Sequence, residues 1–207
     1  MIQNIIFDFD GVILDSMPIR EQGFRHIFAE HEASQVEQLL EYHEANAGLS
    51  RYVKIAYFYE EIRKESISQA EIKRLAGVFS EMMCQKLTAR KYLIMETVGF
   101  LEKNHKQYKL HIASGSDQDE LRYLCGELGL ADYFLSIHGS PTYKNDLVKM
   151  ILSENGYRKE ETILIGDSMN DYIAADTNGI AFYGYNNEIL KHVSQRYLDD
   201  YRLLERV

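Results

Sequence analysis

The sequence predicts an α/β fold: a Rossmann-like, doubly wound parallel sheet with an all-helical segment inserted after its first strand. Three observations predict it. The apolar run Ile5-Ile6-Phe7 leads into Asp8, Asp10 and Gly11, and a strand that is apolar along its length is buried on both faces, as in a parallel sheet. From about Lys109 onward, short apolar runs alternate with helical patterns, the order expected of right-handed strand–helix–strand crossovers. Between these regions, residues 17–89 hold helical patterns and no strand.

The elements follow in order. The first strand ends at Asp8 and Asp10, and the C-terminal ends of strands are where open α/β sheets bind ligands. Two carboxylates so close repel unless a cation or a proton separates them; Asp10-Gly11 is also an ordinary turn pair. In the inserted segment, Val53, Ile55, Ala56, Tyr57, Phe58 and Ile62 make a helix that is apolar over a broad face. Residues 71–83 make another, with Ile72, Leu75, Val78, Phe79 and Met82 inward. Residues 110–113 read as a strand. Residues 118–128 read as a helix with Leu121, Leu124, Cys125 and Leu128 on one face, stopped by Gly129. A strand over 134–138, a helix over 146–154, a strand over 162–165, a helix over 171–177 and a strand over 180–183 complete the alternation. Residues from 188 to the end are expected to be helical. The domain boundaries are therefore 1–15 and 90–207 for the sheet core and 16–89 for the helical insert.

A chain of 207 residues suffices for one or two domains. With 45% apolar and 27% charged residues the balance is that of an ordinary soluble protein. A net charge of −9 argues against nonspecific binding to nucleic acid or an anionic membrane. It leaves an anionic substrate open, because a bound metal inverts the local field. Cys84 and Cys125 have no metal-ligand spacing and make no disulfide framework, so a reducing, cytoplasmic setting is expected. Asp8 and Asp10 interrupt the first apolar run, which does not read as a signal peptide, and no apolar stretch reaches the roughly 18 residues of a membrane span. Nothing in the sequence sets an oligomeric state.

Three further candidates fall at or after predicted strand ends. Ser114, in Ala113-Ser114-Gly115-Ser116, can hold an anionic oxygen with the neighbouring N–H groups, or simply cap the next helix together with Ser116 or Asp117. Asp167, in Gly166-Asp167-Ser168-Met169-Asn170-Asp171, adds a second strand-end carboxylate with Asp171 four residues later. Such oxygens suit a hard cation or, alternatively, the first turn of a helix. Lys144 precedes a predicted helix, where its charge opposes the macrodipole unless an anion partners it; a solvent-facing lysine is the alternative.

The order of these motifs resembles that of the haloacid dehalogenase superfamily, in its phosphatase and β-phosphoglucomutase-like group. Asp8-Phe9-Asp10-Gly11-Val12-Ile13-Leu14-Asp15-Ser16 matches the first motif, Ser114 the second and Gly166–Asp171 the fourth. Lys144 is the candidate for the third, although Asn145 follows it where many members have proline; Lys149 is a distant second candidate. The insert resembles the small helical (C1-type) cap of that family. The resemblance implies that Asp8 is the nucleophile forming an aspartyl-phosphate and Asp10 the general acid and base. It implies Mg²⁺ held by Asp8, the Asp10 carbonyl, Asp167 and Asp171, with Ser114, Gly115 and Lys144 on the phosphoryl oxygens. Asp10 itself favours phosphate-ester hydrolysis of a small phosphorylated metabolite. Gly48-Leu49-Ser50-Arg51 is similar to the cap loop of β-phosphoglucomutase, where an arginine holds the distal phosphate, so a sugar-phosphate mutase is the alternative. Against it, the mutase has a histidine where Arg20 stands. Arg51 and Arg20 are candidates for substrate contact. A noncatalytic binding or regulatory relative is a third reading, opposed by retention of all the motif acids.

Overall fold

The computed structural model describes residues 1–194 and 196–206. Its centre is one sheet of β1 (Asn4–Phe7), β2 (Lys109–Asp117), β3 (Ser136–Ser140), β4 (Thr162–Gly166), β5 (Ala181–Tyr185) and β6 (Tyr197–Leu198), in the order β3-β2-β1-β4-β5-β6. Every neighbouring pair is parallel. The chain runs outward from β1 to β3, then crosses back to β4 on the other side of β1. That reversal opens a crevice beside the C-terminal end of β1.

Between β1 and β2 lie α1 (Met17–Ile27), α2 (Ala33–Ala45), α3 (Arg51–Tyr57) and α4 (Gln69–Lys86). Pro18 sits in the first turn of α1, where its missing N–H costs nothing. Ser68 caps α4 by accepting from the Glu71 N–H at 3.1 Å. α3 continues as a π-helical turn over Phe58–Ile62. Aromatic contacts hold this layer together: Phe28 on Phe58 with ring centroids 3.9 Å apart, and Phe24 on Phe79 at 4.8 Å.

The remaining helices cover the two faces of the sheet. Side chains alternate along a strand, so Ile5 and Phe7 face one core with Phe100 and Leu101 of α5 (Met95–Asn104) and Leu121 and Leu124 of α6 (Gln118–Glu127). Ile6 faces the other, with Leu147, Val148 and Ile151 of α7 (Lys144–Asn155) and Ala174 of α8 (Met169–Asn178). Among the described residues, no helix is long and apolar enough to cross a membrane.

Three sequence expectations are corrected. β1 is four residues long, and Phe9, Val12, Ile13 and Leu14 are buried outside the sheet, in a turn. α5 was not anticipated. The segment after 188 is not α-helical: it makes a 3₁₀ turn at Glu188–His192, the edge strand β6 and a second 3₁₀ stretch at Tyr201–Arg206. Leu190, Leu198, Tyr201 and Leu204 of this segment are buried. Gln195 and Val207, within the core range 90–207, lie outside the described residues.

Candidate active site

Adjacent strands bring the motif residues together. Register pairs Phe7 with Ile112 of β2 and Ile165 of β4. Asp8 therefore leaves the sheet between the segments carrying Ser114 and Asp167. Asp8 is buried, and its Oδ1 accepts the Phe9 N–H at 2.7 Å. Gly11 has φ +74°, and a Cβ there would stand 1.9 Å from Asp167 Oδ2. Only glycine gives both that backbone and that clearance. Gly166 is similarly constrained, since its Cβ would meet Asp171 Cβ at 2.3 Å.

Lys144 is the first residue of α7 rather than one that precedes the helix, and it is buried. Its Nζ lies 2.9 Å from Asp8 Oδ1 and also pairs with Asp171 Oδ1. The unfavourable position at a helix N-terminus is thus offset by two carboxylates. Burial works against the Lys144 charge, but Asp171 and Asp8 outweigh it and raise its pKa. Asp171 also completes a capping box on α8, its Oδ2 accepting from Ser168 N at 3.0 Å and Ser168 Oγ at 2.6 Å. The capping and site readings of Asp171 are therefore both realised.

Asp8, Asp167 and Asp171 each offer an oxygen within 4.8 Å of the others. Burial and the Asp171 carboxylate push Asp8 up to about 7 against the pull of Lys144. Burial, Asp8 and Asp171 hold Asp167 well above the usual carboxylate range. Three hard oxygen donors whose mutual repulsion Lys144 only partly relieves fit a divalent cation such as Mg²⁺. Each Asp171 oxygen already accepts a bond, so any metal contact uses a remaining lone pair or a bridging water.

The Asp10 side chain is engaged elsewhere. It accepts from Ser16 Oγ, from Arg20 Nε at 2.7 Å and from Ser116 Oγ at 2.6 Å. Burial alone would raise Asp10, but Arg20, Ser116 and Ser16 outweigh it and leave the pKa below the usual value. Ser114 is buried, and its Oγ accepts the Ser116 N–H at 3.1 Å.

The α1–α4 layer covers these residues. The loop before α3 rests on Gly115, whose Cβ would lie 2.2 Å from the Gly48 carbonyl oxygen. Asn170 Nδ2 donates to the Ala47 carbonyl at 2.6 Å, and Tyr52 OH to Asp117 Oδ2 at 2.6 Å. Glu120 on α6 accepts from Arg20 Nη1 at 3.1 Å and Arg51 Nη1 at 2.5 Å. The cavity beneath has Asp8, Asp10, Ser114, Gly115 and Asp167 on its floor and Arg20, His43, Arg51 and Lys54 in its roof and walls.

The sequence candidates Asp8, Asp10, Ser114, Gly115, Lys144, Asp167 and Asp171 thus gather at one rim. All three Arg20 nitrogens are taken by protein groups, whereas Arg51 keeps Nε and Nη2 without a partner. Sequence reasoning missed Glu120, His43 and Lys54. Lys54 shares α3 with Arg51, so in the sequence it reads as part of that helix's polar side.

Comparisons with known proteins agree with this geometry. Residues 5–185 match the family described as haloacid dehalogenase-like hydrolase. A 5'-nucleotidase of Pseudomonas aeruginosa is 23% identical over 217 aligned positions, covering 99% of this chain and 94% of its own. A phosphoglycolate phosphatase of Vibrio parahaemolyticus is 25% identical over 202 positions, covering 90% and 86%. The crystal structure of β-phosphoglucomutase from Clostridium difficile superposes with a TM-score of 0.77 at 18% identity, covering 99% and 93%. By the match over residues 5–185 and a sheet that places the four motif segments at one rim, the chain belongs to the haloacid dehalogenase-like hydrolases.

Proposed function

We propose that this hydrolase is a Mg²⁺-dependent phosphatase that acts on a small phosphorylated metabolite through an aspartyl-phosphate at Asp8. One observation carries the reading: a buried strand-end carboxylate has an ammonium 2.9 Å away and two further carboxylates around it, at the floor of a covered cavity. The names of both curated relatives point the same way. Residues 16–89 are the cap, and 1–15 with 90–207 the catalytic core. The two cysteines, both free, suit a cytoplasmic enzyme.

Asp8, the Asp10 main-chain carbonyl and Asp167 would hold Mg²⁺, with Asp171 direct or through water. Bound there, the ion neutralises charge on the carboxylate and on the phosphoryl oxygens. Lys144, 2.9 Å from Asp8 Oδ1, adds a positive charge of its own, and Ser114 with the Gly115 N–H would orient the phosphoryl group. An Asp8 oxygen forms a bond to phosphorus as the bond to the leaving oxygen breaks, and Asp10 gives that oxygen its proton. Asp10, now ionised, takes a proton from water as the water oxygen bonds to phosphorus and the Asp8–phosphorus bond breaks. Arg20 favours the ionised form of Asp10, so the acid half requires that pair to loosen. The cap excludes bulk water during the first step and admits one water for the second.

The test is hydrolysis of p-nitrophenyl phosphate with Mg²⁺, with EDTA and by Asp8→Asn. Activity is expected only in the first, and activity that persists in Asp8→Asn rejects the covalent route. The second reading, a sugar-phosphate mutase, is favoured by the Gly48–Arg51 loop in the cavity roof. Conversion of β-glucose 1-phosphate to glucose 6-phosphate with a bisphosphate primer and no phosphate release would establish it instead.

A further inference from the structure

Two of the segments that carry the floor carboxylates are not bonded to each other. Asp10 and Gly11 lie in the turn after β1, and Asp167 lies in the turn after β4. Among the described residues, no hydrogen bond joins residues 9–12 directly to residues 166–171. They are nonetheless pressed together, since a Cβ on Gly11 would fall 1.9 Å from Asp167 Oδ2. Both segments carry negative charge, and Asp10 is one of the groups that raise the Asp167 pKa. Their spacing therefore has to be set from outside them.

Two consecutive asparagines reach both segments. Gly166 of β4 is in register with Gly184 of β5, so the residues just past β5 stand beside those just past β4. Asn186 Nδ2 donates to the Gly11 carbonyl at 2.9 Å, and Asn187 Nδ2 donates to the Asp167 carbonyl at 2.8 Å. The Asn187 amide is held at its other end too, its Oδ1 accepting the Ile189 N–H at 3.2 Å. Asn186 has φ +52°, in the left-handed region. Asparagine tolerates that region better than other side chains do, and non-glycine residues held there gather at functional sites. The bonds matter because a main-chain carbonyl has no rotamer, and its aim follows the rigid peptide plane. The Asp10–Gly11 peptide is fixed by the Gly11 N–H, which donates to the Leu14 carbonyl at 2.8 Å, and the next peptide by Asn186. The Asp10 carbonyl is thus aimed from both sides of Gly11. Asn187 likewise fixes the backbone from which the Asp167 carboxylate projects.

We propose that Asn186 and Asn187 are positioning residues that hold the Asp10 carbonyl and the Asp167 carboxylate at a spacing that favours Mg²⁺ over larger cations. The proposal rests on the metal reading of the floor and adds what sets the choice of ion. Mg²⁺ demands near-ideal octahedral geometry at about 2.0–2.1 Å, whereas Ca²⁺ accepts flexible shells at about 2.3–2.6 Å. Ligands tied at a fixed spacing suit the smaller ion. Loosening either tie costs Mg²⁺ more than it costs Ca²⁺.

The test is metal binding without turnover. Mn²⁺ binding to the full chain is followed by the EPR signal of the free ion, with Mg²⁺ and Ca²⁺ added as competitors. Two uncharged variants each remove one tie. Asn186→Gly keeps the left-handed backbone without strain. Asn187→Ser keeps an acceptor for the Ile189 N–H but is too short to reach the Asp167 carbonyl. A thermal melt confirms that each variant is folded at the titration temperature. In each, the Mg²⁺ Kd should rise about tenfold, the scale expected for a residue that supports a metal ligand. The ratio of the Mg²⁺ Kd to the Ca²⁺ Kd should rise by at least about fivefold. A smaller rise of that ratio in either variant overturns the proposal, whether both ions bind as before or both are lost alike, as general damage to the floor would cause. Failure of the unmutated protein to bind any of the three ions rejects the metal reading itself, and the proposal with it. An ion preference that the variants leave unaltered rejects the proposal alone.

Discussion

Arg20 Nε lies 2.7 Å from Asp10 Oδ1, and the same guanidinium reaches Glu120 on the far side at 3.1 Å. One arginine of α1 thus pairs with both the proposed acid–base residue and a carboxylate of α6. Removing one member of a buried ionic network leaves the others uncompensated. Arg20→Met should cost about 3–5 kcal/mol of stability in urea unfolding. Glu120→Gln in that background should recover part of the loss, because the two sites share a partner.

Asp10 and the leaving group make a second prediction. General acid help is worth about 10²- to 10⁴-fold where the leaving oxygen is basic. Asp10→Asn should therefore slow phosphoenzyme formation from an alkyl phosphate by at least about 100-fold. The loss should be much smaller for p-nitrophenyl phosphate, whose leaving group needs no proton. Single-turnover rates with the two substrates measure the difference.

Gly11 predicts a metal effect. Alanine at φ +74° is strained, and its Cβ would occupy the place of Asp167 Oδ2. Gly11→Ala should displace that carboxylate and raise the Mg²⁺ concentration for half-maximal activity by about tenfold or more, the scale expected when a metal ligand's support is disturbed. A Mg²⁺ titration of the two proteins checks it.

Lys54 predicts a pH-dependent gain of stability. Its pKa falls from 10.5 to about 7 on folding. Below pH 7 it is charged in both folded and unfolded chains, and the full cost of burying the charge opposes folding. As pH rises from 7 towards 10.5 the folded chain releases the proton first, and the cost shrinks. Lys54→Met should therefore stabilise the ligand-free protein at pH 6.5, and by roughly 2–3 kcal/mol less at pH 9. Urea unfolding at the two pH values tests it.

Much of the candidate site was legible because its residues sit beside strand ends or helix starts, where local pattern fixes position. Asp8 and Asp10 follow an apolar run, Asp167 another, and Asp171 a capping serine. What was illegible is assembled from distant elements. His43 on α2, Lys54 on α3 and Glu120 on α6 each look like the polar face of an amphipathic helix until packing buries them. α5 lacked a start signal, since its N-cap is Ile94 with no side-chain hydrogen bond. The segment 197–206 carries Tyr197, Tyr201 and Leu204 at an α-helical spacing, so its pattern hides the short edge strand and 3₁₀ stretch that form instead.

Asp8 is proposed to carry a covalent phosphoryl group during turnover. The most direct measurement is rapid acid quench of the Mg²⁺-loaded enzyme with a ³²P-labelled phosphomonoester that it turns over. Label is expected on the protein, released by hydroxylamine as an acyl-phosphate is, and missing from Asp8→Asn. Turnover without protein-bound label, or the same label on Asp8→Asn, would contradict it.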